Sequence, residues 1–278
     1  MLELLHYAFI RNALVAGSMV AVVCGAVGFF IIARGLTFAA HALPSIGFSG
    51  AAGAVLVGVE PVYGLFAFTI MAALGMGLVG EKARERDTAI AIIMALALGL
   101  GFLFLSLYSG YAERVYAILF GSILGISAES VRVTLVAGCL SLALVLVMAR
   151  PLLFSTADRQ TAEARAVPVR FLSLAFLALV AVAISLSIEL MGSLLVFTLI
   201  VGPPATAARL VKGPFVTVVL SSALGLVYVL VGIWIAALSQ SLPVSFVVSA
   251  LAFLVYMPVR LAAHPRSLRE EIHTCTHC

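Results

Sequence analysis

Long uncharged apolar runs alternate with short clusters of charge along this chain. About 18 or more apolar residues cover the ~30 Å hydrocarbon layer as an α-helix, which satisfies its backbone groups internally where no water is present. Cutting at the charges and at Pro/Gly breaks predicts spans near 12–33, 38–58, 62–80, 89–108, 131–149, 171–188, 191–208, 214–238 and 243–259. Only Glu189 and Leu190 separate the sixth run from the seventh, too little for a comfortable turn, so one of the two is expected to be short, broken or re-entrant. The expected fold class is therefore all-α: a polytopic transmembrane helical bundle of about 8–9 spans. The first run, from Ala13 to Ile32, is too long for the apolar part of a cleavable signal peptide and leads into the next span without an A-x-A-like site, so it reads as a retained span.

Charge sets the orientation. One set of loops holds Arg34, Lys82, Arg84, Arg86, Arg150, Arg159, Arg165, Arg170, Arg209, Lys212, Arg260, Arg266 and Arg269, thirteen residues; the other holds Arg11, Arg114 and Arg132. Cytoplasmic loops carry the Lys/Arg excess, so the first set faces the cytoplasm. With nine spans the N-terminus lies outside and the C-terminal tail inside; Met1 to Arg11 also suits a short interfacial helix.

Composition narrows the picture further. Hydrophobic residues make up 64% of the 278 and charged ones 10%, which leaves no soluble domain of independent size. The expected organisation is a transmembrane domain over residues 1–262 followed by a cytoplasmic His/Cys tail over 263–278. The net charge of +4 is spread over span ends without a basic stripe interleaved with aromatics, so nucleic acid is not an expected partner. The cytoplasmic segment "RPLLFSTADRQTAEARAVPVR" at 150–170 differs from the other loops. Its charges lie among small residues and it breaks at Pro168, which suits either a short helix across the bundle mouth or an ordinary solvated loop.

Ionisable groups inside a membrane are costly, and each is a functional candidate. His41 stands near the start of the second span, with Ser45 one helical turn later on the same face and Pro44 kinking the helix between them. Neutral imidazole is a common transition-metal ligand and a hydroxyl a weak one; the competing reading is a packing histidine bonded to a neighbouring carbonyl. The Gly-Phe-Ser-Gly at 47–50 is superficially like an intramembrane serine protease motif, but no other span offers a His or Lys as base. Close packing by Gly47, Ser49, Gly50 and Gly53 is the better account. Glu189 is expected at the outer edge between two spans, and Pro203-Pro204 interrupts the span that follows.

Cys24 and Cys139 lie inside spans as small hydrophobes, whereas the terminal "HTCTHC" gathers His273, Cys275, His277 and Cys278, soft donors suited to Zn²⁺ or Cu(I). No G-x-x-x-x-G-K-[ST] loop is present, so any ATP hydrolysis belongs to another chain and this one is not expected to be an enzyme. A proton- or sodium-coupled secondary transporter is the alternative, but it needs carboxylates or basic groups well inside the spans. An intramembrane enzyme needs a dyad or metal cluster on separate helices.

Four stretches together resemble the permease subunit of bacterial ATP-binding-cassette importers for zinc, manganese or iron, the ABC-3 metal-ion family. "RGLTFAAHALPSIGFSGAAGA" at 34–54 resembles the second-span signature, "ILFGSILGIS" at 118–127 the Phe-Gly-Ser/Asp-Ile-Leu element, "FSTADRQTAEARAVPVR" at 154–170 the segment that couples to the ATPase, and "MGSLLVFTLIVGPPATAARL" at 191–210 the Pro-Ala-Ala-Thr-Ala-Arg run. The resemblance implies coupling positions at Asp158, Glu163, Ala164 and Val167. Aligned on Arg34, it also implies that His41 fills the family's metal-site Asp position and Ser45 its His position. It further implies a multi-pass permease of a bacterial-type cytoplasmic membrane, working as a homodimer with ABC ATPase subunits and an extracytoplasmic metal-binding protein. No cofactor is expected to be covalently bound; the cargo is Zn²⁺ or Mn²⁺, with zinc favoured by His41 and the tail, and ATP binds the partner subunit.

Overall fold

The structure, a computed structural model, describes residues 8–78, 83–108, 126–157, 159–165, 168–239 and 242–275, with the side chains of 83–85, 157, 159, 194 and 263–275 left out. Among the described residues there are ten helices and no strand: α1 (Ala8–Ala33), α2 (Thr37–Val57), α3 (Pro61–Leu78), α4 (Ala83–Leu107), α5 (Ala128–Ala157), α6 (Arg159–Ala164), α7 (Val169–Met191), α8 (Ser193–Leu210), α9 (Pro214–Ser239) and α10 (Val244–Cys275). Eight of them are long and apolar enough to cross a membrane, and α8 contributes a shorter apolar helix, Leu195–Leu210. The expected all-α bundle is thus present, and the short member of the closely spaced pair is the second.

Burial separates central from peripheral helices. The apolar windows of α1, α2 and α7 are 67%, 61% and 67% buried, whereas those of α4, α5 and α10 are 17%, 22% and 22% buried. Lipid is as apolar as leucine, so the outer helices present Phe102, Leu144, Val147 and Phe253 outward at no hydrophobic cost. Phe30, Ile31, Leu43, Phe176, Ile184, Leu195 and Leu199 fill the interior.

What holds such helices together is close backbone approach and interhelical hydrogen bonding. A Cβ on Gly50 would lie 2.2 Å from the Gly64 carbonyl oxygen and one on Gly64 would lie 2.1 Å from that of Gly50, so α2 and α3 touch backbone to backbone. Gly25 of α1 meets the backbone of Ser222 in α9 in the same way. Ser221 Oγ donates to the Gly25 carbonyl at 2.9 Å, and Thr69 and Ser185 share a hydrogen bond of 2.6 Å across α3 and α7. At the outer end, Asn12 Nδ2 donates to the Ile126 carbonyl at 3.0 Å and pins the start of α1 to the start of α5.

The segment after α5 contains a short helix, one of the two forms its sequence suits. Helix α5 runs through Pro151 to Ala157, α6 covers six residues, and Arg165 returns over the Phe154 ring at 5.6 Å. Glu163 and Ala164 are exposed on α6, while Ala162 is buried against the bundle. Asp158, Val167 and residues 118–125 lie outside the described residues.

The link between α7 and α8 differs from expectation. Glu189 is not in a connecting turn at an outer edge but in the last turn of α7; the chain reverses at Gly192, whose φ of 80° is readily open to glycine. Leu190, Met191, Gly192 and Ser193 are all buried. The Met191 methyl lies 3.1 Å from where a Cβ on Gly17 would sit, and Gly17 is roughly 13 Å along α1 from Ala8 at 1.5 Å per residue. A turn enclosed in this way lets α8 be short, because neither end of the reversal has to reach the outer rim.

Candidate functional site

Helix α2 places His41 and Ser45 one turn apart. His41 is exposed on the surface of the bundle and Ser45 is half-buried. The imidazole meets the Phe197 ring of α8 edge to face, with centroids 4.6 Å apart and planes at 65°. Aromatic contacts of this kind orient a ring without occupying its nitrogens. Pro44 lacks the N–H that would pair with the Ala40 carbonyl, so a backbone oxygen beside His41 loses its helical partner. Imidazole, hydroxyl and released carbonyl therefore cluster along one short stretch of α2, about 6 Å beyond its first residue.

That donor set is sparse. Among the described residues, no group of three or more His, Cys, Asp or Glu side chains comes together to hold a metal ion. A site of higher coordination at His41 has to draw donors from elsewhere, and the exposure of His41 leaves its face open to them.

Ser49 lies one turn further along and has a structural role. It is fully buried, and its hydroxyl reaches the Ala97 carbonyl of α4 at 2.5 Å and the Ser45 carbonyl at 3.2 Å. Its partners among the described residues are those two backbone carbonyls, and a Cβ on Gly101 would sit 2.9 Å from its oxygen. The Gly-Phe-Ser-Gly run is a packing element: Gly47 abuts Thr69, Gly50 abuts Gly64 and Gly53 abuts Phe104. Cys24 is buried, its sulfur 3.5 Å from the Ser187 hydroxyl; Cys139 is exposed on α5.

Prolines 203 and 204 shape α8 without breaking it. Pro204 removes the donor for the Ile200 carbonyl, and that oxygen turns to α1, 2.1 Å from where a Cβ on Gly28 would be. Glycine at 28 lets the released carbonyl approach the α1 backbone, so α1 and α8 lock together where α8 would otherwise be weakest. Sequence reading noticed the prolines but had no signal for the glycine opposite, because the pair is separated by most of the chain.

The tail continues α10, which runs unbroken across residue 262 to Cys275. The side chains of His273 and Cys275, together with His277 and Cys278, lie outside the described residues.

Comparison with known proteins agrees with this architecture. The sequence matches the profile of the ABC 3 transport family over residues 6–262. It is 28% identical over 237 residues to the manganese transport system membrane protein MntC of Halalkalibacterium halodurans, covering 85% of this chain and 81% of that protein. It is 29% identical over 250 residues to the manganese import system permease protein ScaB of Streptococcus gordonii, covering 89% and 90%. Among solved structures, a chain of PsaBC from Streptococcus pneumoniae in complex with Fab superposes with a TM-score of 0.81 at 26% identity, covering 92% of both chains. With its profile matched almost from end to end and its bundle of apolar spans in place, the chain is a multi-pass membrane protein that belongs to the ABC 3 transport family.

Proposed function

We propose that this chain is the membrane permease of an ATP-driven importer for a divalent transition-metal ion. The observation that carries the reading is the family match over residues 6–262, which takes in every apolar span. Two copies enclose the pathway, ABC ATPase subunits dock on the cytoplasmic side at residues 154–170, and an extracytoplasmic metal-binding protein delivers the ion from above. In this reading ATP binding and hydrolysis move the α6 segment, and the central helices switch the pathway from outward to inward access. The chain performs no covalent chemistry.

His41 touches the passing ion in this proposal, with Ser45 as a weaker neighbour. In this reading a second copy covers the face of α2 that exposes the imidazole and brings a second His41 toward the same axis. Imidazole without a carboxylate favours zinc over the harder manganese ion, whereas the relatives MntC and ScaB carry manganese in their names. The donor chemistry of this chain's own residues supports the zinc reading.

The test is uptake by the permease reconstituted with its ATPase and binding protein. ATP-dependent accumulation of zinc in preference to manganese is the expected result. Manganese preferred over zinc sinks the ion assignment alone, and metal accumulation independent of ATP sinks the importer reading.

A further inference from the structure

At the cytoplasmic end of the bundle, α1, α2, α3, α4, α5 and α7 surround a cavity of about 610 Å³, within the range of roughly 300–1,000 Å³ typical of small-molecule sites. Three guanidinium side chains line it: Arg34 at the end of α1, Arg86 near the start of α4 and Arg170 at the start of α7. Three hydroxyls, from Ser155, Thr156 and Ser173, stand among them. Arg34 Nη2 donates to Ser173 Oγ at 2.5 Å, and its guanidinium lies 5.9 Å from the centre of the Phe176 ring. Arg86 Nη2 donates to the Gly35 carbonyl at 2.9 Å, and its Nε stands 3.5 Å from Oδ1 of the adjacent Asp87. Arg170 is exposed at the mouth. Among the described residues, the remaining wall is apolar, including Met76, Ile90, Leu174 and Leu177.

The depth of the cavity is set by where the apolar spans begin and end. The span in α4 starts at Arg86, the span in α5 stops at Thr156 and α7 begins at Val169, so the guanidinium groups lie at the edge of the apolar spans. The Lys/Arg excess puts that edge on the cytoplasmic side, where the leaflet is anionic. A site with positive charge and hydroxyls at the mouth and an apolar inner wall suits a ligand with a phosphate at one end and hydrocarbon at the other. The volume is far larger than an inorganic phosphate needs, and the apolar wall offers such an ion nothing.

From these residues we infer that the cavity is a binding site for the phosphate headgroup of an anionic phospholipid of the cytoplasmic leaflet, held by Arg86, Arg170 and Arg34 with the hydroxyls of Ser155 and Thr156. Guanidinium pairs a phosphate in a bidentate, charge-assisted manner that an ammonium does not match. Because the site joins the start of α7 to the ends of α1 and α5, an occupied cavity braces the elements that flank α6. The inference does not depend on the identity of the transported ion.

Full-length permease, stripped of lipid in a neutral detergent, is titrated with phosphatidylglycerol, with phosphatidylcholine and with inorganic phosphate. Bound lipid is counted by native mass spectrometry and the melting temperature is followed in parallel. Phosphatidylglycerol is expected to bind and to raise the melting temperature, and phosphatidylcholine to do neither at the same concentration. Arg86→Gln and Arg170→Gln should each weaken phosphatidylglycerol binding about tenfold or more, the loss of one charged hydrogen-bonding group. Arg150→Gln, an exposed arginine outside the cavity, should leave binding unchanged. Arg170 is exposed, so its variant folds even if Arg86→Gln does not. Equal binding of the two lipids, or unchanged phosphatidylglycerol binding in Arg170→Gln, overturns the assignment. So does stabilisation by inorganic phosphate but not by phosphatidylglycerol, which puts a soluble anion in the site. Variants that keep the lipid but lose the co-purifying ATPase make the cavity a protein docking surface and overturn it as well.

Discussion

At the scale of single residues the chain is notable for how little ionisable chemistry it places in the bundle, which gives His41 its weight. The imidazole is held against Phe197 on an open face, with Ser45 one turn away. If His41 contacts the ion, His41→Ala in the reconstituted complex should lower zinc uptake at least tenfold. His41→Asp should keep part of it and move preference toward manganese, since a carboxylate suits the harder ion. Ser45→Ala should cost much less than His41→Ala. Unchanged uptake in His41→Ala, measured with radioactive zinc at subsaturating concentration, returns this residue to a packing role.

At the scale of elements, helix contacts rest on glycines rather than on interlocking large side chains. Gly50 and Gly64 are reciprocal, each leaving no room for a Cβ on the other. Gly50→Ala should therefore push α2 from α3 and destabilise the bundle by about 1–3 kcal/mol, the usual cost of overpacking a tight site. A lower melting temperature of the purified permease is the readout, and Gly75→Ala, where a Cβ meets nothing, should leave it almost unchanged. A different element carries the coupling prediction. Helix α6 exposes Glu163 and is anchored through Ala162 and the Arg165–Phe154 contact, so it presents charge while staying fixed to the bundle. Replacing Asp158 and Glu163 by Lys should leave the permease inserted but uncouple ATP hydrolysis from uptake. Normal stoichiometric transport by that double variant removes the coupling assignment.

On the scale of the whole molecule, α1, α2 and α7 are already buried within one copy, while α4, α5 and α10 leave most of their apolar windows exposed. The C-terminal helix continues past residue 262 to Cys275, on the side where the charge count puts the cytoplasm. Two of four soft donors, His273 and Cys275, belong to its last residues and the other two, His277 and Cys278, come after it in the sequence; the four are proposed to bind the imported ion or to throttle transport when the cytoplasm is replete. Deleting residues 273–278 should preserve folding and maximal uptake but change the response of uptake to internal zinc. A truncated permease with an identical zinc response and unchanged bound metal denies the tail that role.

The apolar spans of the bundle were legible in the sequence because they depend on a local quantity: apolar length sets what can cross a membrane. The Gly-Phe-Ser-Gly run was legible as a packing element for a similar reason, since no base existed in any other span to activate Ser49. The depth of the turn at Gly192 was not: apolar length alone put Glu189 at the rim, whereas burial against α1 holds that turn inside. Nor was the pairing of the Ile200 carbonyl with Gly28, or the meeting of Arg34, Arg86 and Arg170 around one cavity. Each joins residues far apart in the chain, and in lipid such contacts are chosen by backbone fit and by the need to satisfy polar groups. Apolar sequence, which reads nearly the same on every face of a span, does not record that choice.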